Sequence, residues 1–215
     1  AAIAGVLPLE CVVEVVYNRG LTMDRLVARD PAGRSPYAMG VILPHRAGMG
    51  EGKALALVAR VAAETGLPLE VVNFNIRGRQ YSVTGHVDAL ARLSEEIGRS
   101  HGGRRGEGKE KTAYLQVPGI DVPFHSTLLR DGVPLFRATL ERVFPREIPY
   151  LSLVGVYVPN LVAKPYRLDR AFVEEVSAVS GSPVLAALLS DWGDANGDPQ
   201  ALARTLLIEL LAYQF

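Results

Sequence analysis

The sequence predicts a mixed α/β protein in which a ferredoxin-like βαββαβ subdomain is inserted into a larger α/β body. Three observations carry this prediction. Apolar segments at strand and helix spacing follow one another in the order β-α-β-β-α-β between residues 37 and 117. After residue 117 the pattern changes to helices separated by isolated apolar segments, as in a parallel sheet covered on both faces. The second part has too few strands to complete a sheet, so part of the body is expected outside these residues.

Residues 9–29 read as a helix, with Leu9, Val12, Val13, Val16, Leu21 and Leu26 inward and an interruption near Gly20. "DPAGRSP" is a turn cluster. There follow strand 37–43 (YAMGVIL), helix 52–65, strand 69–75 (LEVVNFN), strand 79–84 (RQYSVT), helix 86–97 and strand 113–117. The short "IRGR" between the middle strands fits a hairpin. The stretch "GRSHGGRRGEGKEK" is too polar and glycine-rich to form a core and is expected to be a surface loop. Pro118 and Pro123 then restrict the chain to extended conformations. Beyond them the spacing predicts helix 126–143, strand 151–156 (LSLVGV), helix 169–179, a short helix 183–190 and helix 199–212. The chain thus divides into residues 1–30, a helical part of the body, residues 31–118, the subdomain, and residues 119–215, the remainder of the body.

With 215 residues, 48% of them hydrophobic, the chain can bury a sizeable core. Lysine plus arginine balance aspartate plus glutamate at 23 each, so no global field favours nucleic acid or an anionic membrane. The single cysteine, Cys11, excludes an internal disulfide framework and a cysteine-rich zinc site; its place in an apolar periodic run makes it a core residue in this reading. No apolar run reaches membrane-spanning length, and no basic region precedes "AAIAGVL" to make a signal peptide. A cytoplasmic setting is expected. "AAIAGVLPLE" opens without a start methionine and "ALARTLLIELLAYQF" stops on an uncapped apolar helix, so the sequence reads as an excerpt from a longer chain.

Motifs narrow the chemistry. There is no G-x-S-x-G elbow, no H-E-x-x-H, no P-loop and no cluster of His or Cys, which leaves metal and nucleotide chemistry without support. Ser126 beside His125 reads as a helix N-cap rather than a nucleophile. His45, His86 and His101 are expected to be structural or solvent-exposed, and the glycine-rich "RAGMGEGKA" a solvated turn. His125 lies at a strand-to-helix junction, where it is either a filler or a base. Arg19 falls where an apolar helical run breaks, as a helix-end arginine or as a carboxylate clamp.

The stretches "VVYNRGLTM", "RSPYAMGVI", "EVVNFNIRGRQYSVTG", "IDVPFHSTLLRDGVPLF", "GVYVPNLVAKPY" and "DW" resemble, in order and spacing, the malonyl/palmitoyl transferase domain of type I fatty acid synthases, of the fungal β-chain or actinobacterial type. The resemblance covers nearly the whole chain and implies a partial α/β-hydrolase-like acyltransferase body carrying the ferredoxin-like insert. It implies transfer of malonyl and long-chain acyl groups from CoA to acyl carrier protein through a serine ester, with no bound cofactor or metal. CoA thioesters and the phosphopantetheinyl carrier protein would be substrates, and other synthase domains partners. Through the same resemblance His125 is the general base, Arg19 pairs with the malonyl carboxylate, and Met23 lies near that pocket. Asn160 orients the base, and Asn73 and Asn75 line the cleft. The serine is missing from these residues, so the chain alone is expected to be inactive. The short charged loop at 99–112 favours the actinobacterial type. Two other readings remain: a noncatalytic carrier-binding or structural module, and an acetyl-specific transferase, against which Arg19 argues.

Overall fold

The computed structural model describes residues 5–100, 112–195 and 197–214. His101 and most of the charged loop lie outside the described residues. Two compact units are present, Met23–Arg130 and Ala1–Thr22 with Asp131–Phe215. The first helix, α1 (Leu9–Leu26), contributes to both.

The Met23–Arg130 unit holds β1 (Tyr37–Ile42), α2 (Glu51–Thr65), β2 (Leu69–Ile76), β3 (Gln80–His86), α3 (Val87–Ser100) and β4 (Tyr114–Gln116). The strands form one antiparallel sheet in the order β2-β3-β1-β4. This is the predicted βαββαβ unit, its bounds shifted by one to three residues. Alternate residues of β1 are buried, and Ala89, Leu90, Leu93 and Ile97 of α3 recur at helical spacing on the same core. Ile42, Val58, Val61, Tyr81 and Val83 complete that core. α2 ends at Gly66, whose φ of 64° forms a left-handed cap. The hairpin turns at Gly78, φ 70°, where the Gly78 amide donates to Tyr81 Oη (2.5 Å) and that hydroxyl donates to Glu51 Oε2 (2.7 Å).

Gly85 shows how closely this sheet meets the turn before β2. A Cβ there would lie 2.3 Å from the Pro68 carbonyl oxygen and 2.8 Å from Leu69 Cα, both backbone atoms that cannot rotate away. Gly85→Ala is therefore expected to destabilise the protein by at least about 1 kcal/mol, the scale of overpacking. Urea denaturation checks this: an unchanged midpoint would mean that the strand shifts at no cost.

The other unit is helical among its described residues. It contains α4 (Val133–Val143), α5 (Arg170–Ser180), α6 (Pro183–Ser190), α7 (Trp192–Ala195) and α8 (Pro199–Ala212). Asp169, Ser182 and Asp198 cap α5, α6 and α8 by accepting backbone N–H bonds. Phe136, Leu140, Tyr166, Phe172, Leu185, Leu206 and Leu210 are almost fully buried. Glu209, only 1% exposed, is held by a two-pronged bond from Arg137 (2.5 and 2.8 Å) and by the Ser182 hydroxyl (2.6 Å). These three donors satisfy a charge that would otherwise be costly to bury.

Several expectations are corrected. Residues 151–156 are not a strand: a 3-10 turn, Tyr150–Ser152, runs into further turns. Most of its backbone bonds are local, such as Leu153 N–H to Tyr150 O (2.9 Å) and Tyr157 N–H to Leu153 O (2.9 Å), while Gly155, at φ 75°, donates to Tyr166 O (2.9 Å). An apolar run without a neighbouring strand has no ladder to join. No parallel sheet forms among the described residues. The helix expected from 126 is a 3-10 segment, Thr127–Gly132, followed by α4, which starts beside Pro134. α1 passes through Gly20 without interruption and ends at Leu26. Its apolar stripe is only partly inward: Leu9, Val13 and Val16 are over 60% exposed, Val12, Leu21 and Leu26 are half-buried, and Met23 is its buried residue. Periodicity identifies a face but not what covers it. Cys11 is likewise half-buried rather than core.

Candidate functional site

The segment that carries His125 is shaped by short-range bonds. Phe124 N–H donates to Val122 O (2.8 Å), and Ser126 donates to the Pro123 carbonyl through both its amide (3.2 Å) and its hydroxyl (2.7 Å). The buried Ser126 thus closes the turn from behind instead of capping the following helix. The consequence falls on His125, which takes the left-handed conformation, φ 63°, and is exposed. A non-glycine residue held there is a strained position, of the kind that concentrates at functional sites.

Two side-chain anchors flank this turn. Upstream, Arg29 bonds to Asp121, to Asp24 Oδ1 (2.6 Å) and to Gly33 O (3.1 Å). The Arg29 hydrogen bond holds the Asp121 carboxyl below the usual range, and the two carboxylates raise Arg29 in turn. Downstream, Thr127 donates to the Glu70 carboxylate through its amide (3.1 Å) and its hydroxyl (2.5 Å). Sequence reasoning missed Arg29, Asp121 and Glu70. The partners lie 92 and 57 residues apart, and the only available signal was a charged Glu70 inside an otherwise apolar strand.

In the same unit, Met23 is 1% exposed. Asn73 and Asn75 sit on β2, whose pairing with β3 is irregular between Val71 and Asn73 and again between Phe74 and Ile76. Val71 pairs with the core residue Val83, and Asn73 with Ser82. The bulge at Val72 therefore moves Asn73 off the face that its spacing from Val71 would give. Asn75 donates to Ser82 Oγ (2.9 Å), so its amide serves the sheet. Asn73 is half-buried and has no hydrogen-bonded side-chain partner among the described residues.

Arg19 and Asn160 belong to the other unit. Arg19, on α1, is half-buried and donates through Nη2 to the Gln214 carbonyl (2.7 Å). Among the described residues no carboxylate pairs with it, and burial draws its guanidinium below its ordinary value. A guanidinium is a cation at neutral pH, and among the described residues only Nη2 of its fork of donors has a hydrogen-bond partner. Asn160 is exposed in a turn closed by Ala163 N–H to Pro159 O (2.8 Å), with Ala163 at φ 52°. Tyr157 and Tyr166 tie the base of that loop, and the buried Tyr166 hydroxyl donates to Ala203 O (2.9 Å).

His45 is exposed, with Nδ1 3.1 Å from Arg79 O, and His86 is half-buried, accepting from Asp88 N–H (3.2 Å) at the start of α3. Both serve local structure. Among the described residues, no group of three or more His, Cys, Asp or Glu is placed to hold a metal ion. The Met23–Arg130 unit offers an exposed imidazole on a hydrogen-bonded turn, and the other unit a half-buried cation with no acidic partner among the described residues. These suit proton transfer and carboxylate recognition.

No family model matches the chain. Over its whole length it is 38% identical to a segment of fatty acid synthase 2 of Mycosarcoma maydis, and it spans 7% of that protein. The fold is similar to that of malonyl CoA-acyl carrier protein transacylase from Clostridium perfringens, with a TM-score of 0.57 and 19% identity over 80% of this chain and 46% of the other. It is also similar to the malonyl-transacylase of a type II polyketide synthase solved in complex with its acyl-carrier protein (TM-score 0.52, 21% identity, 86% of this chain, 60% of the other). The chain is thus similar in sequence to a short segment of fatty acid synthases and in fold to part of malonyl-carrier-protein transacylases.

Proposed function

We propose that these residues form part of an acyltransferase that moves malonyl groups, and long-chain acyl groups, between CoA and the phosphopantetheine thiol of an acyl carrier protein. The observation that carries this reading is Arg19: a half-buried guanidinium bonded to a backbone carbonyl and, among the described residues, to no acid. Such a cation suits a substrate that brings its own carboxylate, as malonyl does.

In the first half-reaction a serine hydroxyl attacks the thioester carbonyl, its proton passes to His125, the C–S bond breaks and CoA leaves as the thiol. In the second, His125 takes the proton of the incoming thiol, the sulfur attacks the serine ester, and the proton returns to the serine oxygen. The serine is not among the 215 residues in a G-x-S-x-G setting. Asn160 would orient the imidazole, Met23 would border the acyl pocket, and Asn73 and Asn75 would line the cleft. The proposal needs no bound cofactor and no metal, and its partners are carrier protein and other synthase domains, not nucleic acid or membrane. A cytoplasmic enzyme accords with the single cysteine.

Intact-mass spectrometry after incubation with malonyl-CoA tests the proposal. The full-length protein containing these residues is expected to gain one malonyl group, lost on adding carrier protein, whereas residues 1–215 alone gain none. A stable malonyl ester on a serine of residues 1–215 would contradict the assignment of the nucleophile.

A further inference from the structure

We propose that Glu70 is a positioning residue for acyl transfer, holding His125 in place through Thr127. The inference rests on the reading of His125 as the base. It starts from backbone geometry: His125 is kept at φ 63°, a conformation that a free tripeptide of this sequence would leave. Something must hold it there. Across it, the amide and hydroxyl of the next residue, Ser126, converge on Pro123 O. One residue further on is Thr127, and both its donors go to one carboxylate.

That carboxylate is mounted on a stiff support. Glu70 is paired with Thr84 in the sheet, and Thr84 is fully buried with its hydroxyl bonded to Ala38 O (3.0 Å). The Glu70 charge also faces the first amide of the Thr127–Gly132 turn, where a negative group is favoured. Two charge-assisted bonds to adjacent donors of one residue fix both position and rotation, which a single bond does not. Glu70 thereby transmits the rigidity of the ferredoxin-like sheet to the residue that moves the proton.

Glu70→Gln tests this in the complete acyltransferase. Glutamine keeps one acceptor oxygen but turns an NH2 toward the second donor, so the pair of bonds becomes one. The expected result is a fall of about 10-fold in kcat with KM changed less than about twofold, because misplacement of the base affects the reacting geometry rather than substrate binding. Thr127→Ser, which retains both donors, should stay near wild type, whereas Thr127→Val, which loses the hydroxyl, should fall severalfold in kcat. In a His125→Ala background Glu70→Gln should cause no further loss, since the residue it positions is gone. Wild-type kcat in Glu70→Gln, or a loss that simply multiplies with that of His125→Ala, overturns the proposal while leaving His125 as base. Near-normal turnover in folded His125→Ala overturns the underlying reading instead, and the positioning role with it. If Glu70→Gln does not fold, the Thr127→Ser and Thr127→Val pair decides alone: equal kcat in the two refutes the proposal.

Discussion

Replacing His125 by alanine in the complete acyltransferase is expected to lower malonyl transfer by about 100-fold or more, the scale of losing a positioned general base. The fold should survive, because the turn is held by Ser126 on Pro123 and by Thr127 on Glu70. Alanine at a positive φ carries its own backbone penalty, so a second variant separates chemistry from strain. Asparagine adopts the left-handed conformation readily and cannot act as a base near neutral pH. His125→Asn should therefore match the wild type in thermal stability and be as inactive as His125→Ala. Steady-state transfer to carrier protein and a melting curve on each variant give the answer. An active His125→Asn enzyme would reduce the histidine to a turn residue.

The ferredoxin-like unit was legible in the sequence because its elements bury one face locally. β1 alternates, α3 repeats at three and four residues, and a glycine-containing turn joins β2 to β3. Where a segment depends on distant partners, the pattern misled. "LSLVGV" has strand composition, yet with no neighbouring strand among the described residues it folds into turns. The stripe of α1 has helical spacing, yet Leu9, Val13 and Val16 face outward. His125 could be located at a junction from Pro118, Pro123 and the apolar spacing after it. Its left-handed φ follows from hydrogen bonds that no spacing rule contains. The bonds of Glu70 to Thr127 and of Arg29 to Asp121 were invisible for the same reason, since each joins residues far apart in the chain.

Arg19 carries the substrate assignment, and its effect should discriminate rather than merely damage. A bidentate charged pair in a partly buried setting contributes on the order of 1.5 to 3 kcal/mol, roughly 10- to 150-fold in discrimination. Palmitoyl has no carboxylate to lose. Arg19→Ala should thus depress malonyl transfer over that range and leave palmitoyl transfer unchanged or improved. Arg19→Lys should recover only part of the malonyl activity, since an ammonium supplies charge without the planar fork. The bond to the Gln214 carbonyl would be lost in Arg19→Ala for both substrates alike, so it cancels in their ratio.

The most direct measurement is kcat/KM for malonyl-CoA and palmitoyl-CoA on the wild type and Arg19→Ala of the complete enzyme, compared as a ratio. A malonyl-to-palmitoyl ratio that falls by at least about 10-fold is the predicted result. A parallel loss for both substrates, leaving the ratio unchanged, would contradict it and reassign Arg19 to holding the fold.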